Sequence, residues 1–493
     1  MTNPGIALRD PTLLRQQAFV GGAWIDADDG RTLDVFDPAT GARLGSVPQL
    51  GAAETRRAIE LAEMAWKSWR SVTAQQRSSV LRCWHQLVLD NADDLSLLMT
   101  AEQGKPLAEA RGEVIYAASF IEWFAEEARR VYGETIPSPS ADRRLLVLKE
   151  PVGVCAAITP WNFPLAMITR KAGPALAAGC PMIVKPADLT PFSALALALL
   201  AERAGVPAGV FSVITGAPKV IGAELTANPA VRKLTFTGST AVGRLLYEQC
   251  AGTIKKISLE LGGNAPFIVF EDADIDAAVD GALASKFRNA GQTCVCTNRF
   301  FVHDAVFDRF ADQLAHAVAK LQVGDGRAAG THQGPLINAA AVAKVEAHIS
   351  DAVGQGARLL CGGSRHALGG TFFAPTVLVG VTPSMRICRE ETFGPVAALL
   401  RFHSDDEVIE LANDTESGLA GYFYSRDSRR IWRMIAALEV GMVGVNTGII
   451  STEVAPFGGV KQSGIGREGS RHGIDEYLVT KYVAISGLDG SAW

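Results

Sequence analysis

Cysteine is scarce in this 493-residue chain, eight in all, with no paired spacing that outlines a disulfide framework. That excludes a small disulfide-stapled scaffold. It fits a reducing compartment, where a distinctive cysteine is more often catalytic than structural. Histidine is equally sparse at eight, and no HExxH or CxxC…H spacing occurs, so no metal is expected. No apolar run reaches the ~18–20 residues of a membrane span. The opening stretch MTNPGIALRDPTLLRQQ lacks the basic start and long apolar core of a signal peptide. A cytosolic protein with no membrane partner is expected. A basic excess is missing too: the net charge is −5 and the Arg-Arg pairs 56–57 and 129–130 fall in helical patterns, which leaves no electrostatic reason to bind nucleic acid.

What is present reads as globular, with 48% hydrophobic and 20% charged residues. The length calls for two or three domains. A hairpin is predicted at 18–25 around Gly21-Gly22. Residues 54–131 are helical in pattern, with Pro106 able to occupy a first turn and Gly133 a stop. After Pro151 strands and helices alternate. Strands are predicted over 152–158, 182–184, 210–214, 233–236 and 255–259. The helices between them cover 168–178, 191–204, 219–227 and 240–250. A second alternation starts with the strand 266–270, the helix 275–289, the strand 299–302 and the helix 305–318, and continues with helices near 341–353 and 406–413. Alternation of this kind implies parallel sheets covered on both faces, so the fold class is α/β with two open-sheet domains. Segments 143–149 and 477–485 are strand-like and lie outside this rhythm, a place for pairing between subunits.

Five segments can carry chemistry. Thr159-Pro160-Trp161-Asn162-Phe163-Pro164 follows a predicted strand, where ligands of open α/β sheets collect. Asn162 there could donate to a developing oxyanion, or simply sit in a Pro-bounded turn. Lys185, in Val184-Lys185-Pro186-Ala187-Asp188, ends another strand and could contact a ribose or phosphate, or be an ordinary surface lysine. Phe236-Thr237-Gly238-Ser239-Thr240-Ala241-Val242-Gly243 joins a strand to a helix, the place for an anion-binding turn, although a capped glycine turn reads the same way. Glu260, in Leu259-Glu260-Leu261-Gly262-Gly263-Asn264, ends an apolar strand, where a raised pKa suits a general base; an exposed glutamate before a turn is the plain alternative. Cys294, in Asn289-Ala290-Gly291-Gln292-Thr293-Cys294-Val295-Cys296, lies in a polar loop where exposure fits a nucleophile, although most lone cysteines are buried hydrophobes.

These segments, together with Glu390-Glu391-Thr392-Phe393-Gly394-Pro395, occur in an order that resembles the aldehyde dehydrogenase superfamily over nearly the whole chain. The resemblance implies a Rossmann-like coenzyme domain (1–133 and 152–262), a catalytic domain (263–462) and a small β oligomerisation element (134–151 and 475–493). It implies attack by Cys294 on the aldehyde, an oxyanion held by Asn162 and the Cys294 N–H, hydride transfer to nicotinamide, and hydrolysis of the thioester by water activated by Glu260. Members that pass the acyl group to coenzyme A typically lack this glutamate, so hydrolysis is expected. Coenzyme contacts are implied for Trp161, Lys185, Asp188, Gly238, Ser239, Gly243, Glu391 and Phe393. A homodimer or homotetramer is implied.

Finer stretches resemble the succinate-semialdehyde branch: Ile168-Thr169-Arg170-Lys171-Ala172-Gly173-Pro174, Lys286-Phe287-Arg288-Asn289, Cys294-Val295-Cys296 and Thr447-Gly448-Ile449-Ile450-Ser451. By that resemblance Arg170, Arg288 and Ser451 hold the distal carboxylate of a small carboxylated aldehyde, a task suited to the planar fork of arginine. Helix-surface arginines are the plain alternative. Cys296 is implied as a redox partner of Cys294. Asp188 should accept from a ribose 2′-hydroxyl and repel a 2′-phosphate, which favours NAD over NADP. A neighbouring acid semialdehyde such as glutarate semialdehyde is the alternative substrate. A cysteine esterase and a non-catalytic binding protein are the alternatives from other classes.

Overall fold

The computed structural model describes residues 6–487; the last part of the expected oligomerisation segment, 488–493, lies outside the described residues. Among the described residues the chain builds two large sheets. An eight-stranded sheet has at its centre the parallel strands Phe211–Val213, Met182–Lys185, Val154–Ile158, Val231–Thr237 and Lys256–Glu260, in that order. Antiparallel strands close both edges: the hairpin Ala18–Val20/Ala23–Ile25 on one side and Gly464–Ile465 on the other. The central strands are almost wholly buried, as expected where helices cover both faces.

The seven-stranded sheet carries Thr376–Val379, Val396–Phe402, Thr297–His303, Ala265–Val269, Ala420–Tyr424 and Met442–Val445 in parallel, with Arg358–Cys361 antiparallel at one edge. A three-stranded antiparallel sheet, Leu478–Ile485, Arg144–Pro151 and Glu134–Ile136, stands apart from both. It joins the two segments that broke the α/β rhythm of the sequence.

Two sequence expectations are corrected in detail. The helical stretch 54–131 is divided into Ala52–Trp69, Ala74–Asp90, Ala92–Gln103 and Leu107–Glu127. Thr73 caps the second helix through a capping box, and Gly104 ends the third at φ +93° just before Pro106. The fourth helix stops at Glu127 and a short 3-10 turn ends at Arg130, before Gly133. The helix expected over 275–289 ends at Lys286, because Asn289 and Ala290 take left-handed conformations (φ +51° and +55°) ahead of Gly291. That reversal turns the chain toward Cys294. Among the described residues no helix is long and apolar enough to cross a membrane.

Candidate active site

Sheet register explains why the dispersed segments meet. Ile158 pairs with Lys185, Phe236 with Ile158 and Thr237 with Glu260. The loop after Ile158 carries Trp161 and Asn162, and Gly238 and Ser239 follow Thr237, so these groups share the C-terminal edge of the first sheet. From Glu260 the chain crosses Leu261-Gly262-Gly263-Asn264 to begin the second-sheet strand at Ala265, which pairs with Thr297. Cys294 stands three residues before Thr297. Phe393 and Glu391 precede the strand that begins at Val396 in the same sheet. The C-terminal edge of one sheet therefore faces the N-terminal edge of the other across a four-residue bridge. Gly263 permits this close approach, since a Cβ there would overlap the Cys294 carbonyl.

Cys294 is half-buried on the wall of a cavity of about 280 Å³, shared with Arg170, Arg288, Ser451, Phe163 and Phe457. Burial pushes its thiol up to about 12, partly offset by Arg170 and reinforced by Glu391 and Glu260. Asn162 is buried; its amide donates to the Gln292 carbonyl at 3.0 Å, which ties it to the Cys294 loop. Glu260 is buried with neither carboxylate oxygen hydrogen-bonded. Burial, with Glu468 adding to it, raises its carboxyl well above the usual carboxylate range. Beside it, Glu468 binds Arg170 (Nε–Oε2 2.8 Å) and Lys171. Both cations outweigh burial and hold Glu468 below the ordinary carboxylate value. The two buried carboxyls are driven in opposite directions, the pattern expected of groups with separate acid and base tasks.

The substrate-directed residues divide. Arg170 is buried on the helix Ala166–Ala178, paired with Glu468 and stacked over Phe457 at 3.9 Å. It lines the cavity with its charge already shared. Arg288 lies 5.6 Å from the Phe163 ring and, among the described residues, forms no ion pair. Ser451 joins the same wall. Cys296 is buried, is absent from that wall, and turns its thiol toward the Lys286 carbonyl at 3.8 Å.

The coenzyme-directed residues occupy the crevice side of the same edge. Lys185 is buried rather than a surface lysine, and bonds Asp188. Burial lowers its pKa, with Asp188 opposing. Gly238 leaves no room for a Cβ beside the Phe236 ring. Ser239 caps the helix Thr240–Cys250, whose fourth residue Gly243 leaves no room for a Cβ beside Leu261. The other first-turn N–H groups remain for an anion. Glu391 accepts from the Gly263 N–H at 3.2 Å, and burial pushes its carboxyl up to about 7. Trp161 and Phe393 meet edge to face at 5.6 Å, with Phe393 at φ +54°. Thr159 and Thr237 keep buried hydroxyls without a partner, polar atoms that a bound nicotinamide dinucleotide would satisfy. The residues fit that cofactor.

Lys171, Glu468, Lys105, Glu113 and Asn289 were not singled out from the sequence. A signal existed for Glu113: it recurs with Ala110, Ala117 and Phe120 on the buried face of Leu107–Glu127, where a lone charge needs a partner. Glu468 left no such trace.

The comparisons with known proteins agree with this arrangement. Residues 24–483 match the model of the aldehyde dehydrogenase family. The chain is 64% identical over 478 residues to the succinate-semialdehyde dehydrogenase [NADP(+)] GabD of Escherichia coli, covering 97% of this chain and 99% of that one. It is 63% identical over 481 residues to a glutarate-semialdehyde dehydrogenase of Pseudomonas aeruginosa, covering 98% and 100%. The crystal structure of succinate-semialdehyde dehydrogenase from Burkholderia pseudomallei superposes with a TM-score of 0.97 at 67% identity, over 97% of this chain and 100% of that one. With the half-buried thiol and the raised carboxyl at one interface between two sheets, and the family model matched along nearly its whole length, the chain belongs to the aldehyde dehydrogenase family.

Proposed function

We propose that this aldehyde dehydrogenase oxidises succinic semialdehyde to succinate, with NAD as the preferred coenzyme. The observation that carries the substrate reading is the cavity in which the Cys294 thiol and the Arg288 guanidinium line the same walls. An aldehyde that ends in a carboxylate has its reactive carbon at one end and its anion at the other. Arg288 and Ser451 receive the carboxylate; Arg170 supports the wall from its pair with Glu468.

Cys294 passes its proton to solvent water, its sulfur bonds to the aldehyde carbon, and the carbonyl π pair moves onto oxygen as an oxyanion held by the Asn162 amide. Lys185, Asp188, Gly238, Ser239 and Glu391 would hold the dinucleotide, which when bound supplies the hydride acceptor that makes oxidation to the thioester possible. Glu260 then removes a proton from water, the hydroxide adds to the thioester carbon, and the Cys294 sulfur leaves as the acid forms.

For the coenzyme, the Lys185–Asp188 pair supports NAD, because a carboxylate fixed at the ribose disfavours a second phosphate. A division at 262/263 between coenzyme and catalytic parts, and self-association through the three-stranded sheet, complete the reading. A reversible Cys294–Cys296 bridge belongs to it only if the Cys296 thiol leaves the Lys286 carbonyl.

Steady-state NADH and NADPH formation with succinic semialdehyde, glutaric semialdehyde and butanal tests the proposal. We expect the highest kcat/KM with succinic semialdehyde and NAD. Its margin over glutaric semialdehyde is set by one methylene, about 1–3 kcal/mol. Arg288→Ala should lose about 1.5–3 kcal/mol of binding for the acid aldehydes and leave butanal nearly unchanged. A preference for butanal, or equal losses for both kinds of aldehyde, sinks the substrate assignment.

A further inference from the structure

A second buried ion pair borders the same cavity. Lys105 Nζ lies 2.5 Å from Glu113 Oε2, and both side chains are about 1% exposed. The pair has no role in the chemistry above. Taking two charges out of water is costly unless their remaining donors and acceptors are satisfied, so the partners show what the pair is built to hold.

Lys105 donates to the main-chain carbonyl of Asn162 at 2.7 Å, and its ammonium lies 4.1 Å from the Phe163 ring centre. The other oxygen of Glu113 accepts from the N–H groups of Leu165 and Ala166 at 3.0 and 3.2 Å. The pair therefore grips residues 162 to 166, the segment that carries the oxyanion donor into the helix Ala166–Ala178. Asn289 closes the frame: its amide donates to the same Asn162 carbonyl at 3.0 Å and reaches the Gln292 carbonyl at 3.3 Å. Lys105 lines the cavity, yet its directions are taken up by Glu113, Asn162 and the Phe163 face. It has no donor aimed at a substrate carboxylate, unlike Arg288.

We propose that Lys105 is a positioning residue for the oxyanion step, acting on Asn162 through its main-chain carbonyl with Glu113 as its anchor. This rests on the reading of Asn162 as the oxyanion donor. An amide displaced by a fraction of an ångström still binds its loop but no longer meets the developing charge, so the loss falls on the chemical step rather than on binding.

The test is pre-steady-state NADH formation with succinic semialdehyde, for Lys105→Met and for Lys105→Met/Glu113→Gln, which leaves no unpaired buried charge. Each is made in the native chain and again with Asn162→Ala. The expected result in the native chain is a burst rate lowered about 10- to 100-fold, with the aldehyde KM and coenzyme Kd within about twofold and melting of the neutral double variant close to native. In the Asn162→Ala chain the same changes should add nothing. That background keeps the Asn162 carbonyl, so a role confined to packing would lower the rate there as well. Equal losses in both backgrounds, or a native burst rate in both Lys105 variants, overturn the inference while leaving Asn162 in place. A native burst rate in Asn162→Ala itself overturns the oxyanion reading on which it rests.

Discussion

At the residue scale the chemistry depends on burial setting ionisation. Cys294 is held as a thiol because burial raises it to about 12, against the pull of Arg170. In the coenzyme-free enzyme its thiolate fraction should therefore grow roughly tenfold per pH unit through neutrality and beyond. Alkylation by iodoacetamide, a neutral reagent, should rise at that rate from pH 7 to 10; a plateau below pH 9 would show a thiolate already formed at rest. The places of Cys294, Asn162 and Glu260 at one site were legible as motifs because each sits in a short, distinctive stretch. Their state was not legible. Nothing in LELGG says that both oxygens of Glu260 lack partners, since its surroundings come from about two hundred residues further along the chain: Glu468 bears on its charge, and Gly458 lies so close that a Cβ there would crowd Oε1. For Arg170 the motif placed it at the cavity, and only the fold disclosed that Glu468 already holds it.

At the scale of elements, strand–helix alternation was readable wherever strands are short apolar runs bounded by Gly or Pro. The elements after 318 were read more thinly. Arg358–Cys361, Thr376–Val379, Val396–Phe402, Ala420–Tyr424 and Met442–Val445 are strands; the stretch 362–375 holds no helix and 380–395 only the short Arg386–Arg389, which weakens the rhythm before Asp405–Asn413 and Ser428–Ala437 restore it. The left-handed Asn289 and Ala290 interrupt a pattern that propensity alone continues as helix. Their turn is held by Glu109, which accepts from the Asn289 N–H at 2.8 Å, and by Gln103, which donates to the Asn289 side chain at 3.0 Å. The strand Leu478–Ile485 was legible because it stood outside the alternation. It pairs along its length with Arg144–Pro151 and leaves its other edge unpaired in the three-stranded sheet. Tyr482 and Ile485 are exposed on it, and Leu148 on its neighbour. An open edge with apolar side chains is a pairing surface. Tyr482→Asp should therefore shift the protein to a lighter species in sedimentation velocity while its melting changes little; an unchanged assembly would place the subunit contact elsewhere.

At the scale of the whole molecule, two sheets face each other edge to edge. The first brings Asn162, Lys185, Gly238 and Glu260 to its C-terminal edge, and the second brings Cys294 and Glu391 to its N-terminal edge. Gly262 and Gly263 join them closely enough for the Cys294 thiol and the carboxyls of Glu260 and Glu391 to lie at one interface. The family resemblance was readable from motif order, whereas this opposition of edges required the register. In the proposed reaction Cys294 carries the acyl group and Glu260 releases it. The most direct measurement is rapid mixing of Glu260→Gln with succinic semialdehyde and NAD, followed by mass analysis of the peptide that contains Cys294. One NADH per active site should form in a burst, with slow turnover reduced about 10²–10⁴-fold and a succinyl group on Cys294. Full turnover without a burst, or an acyl group on any other residue, would contradict this reaction.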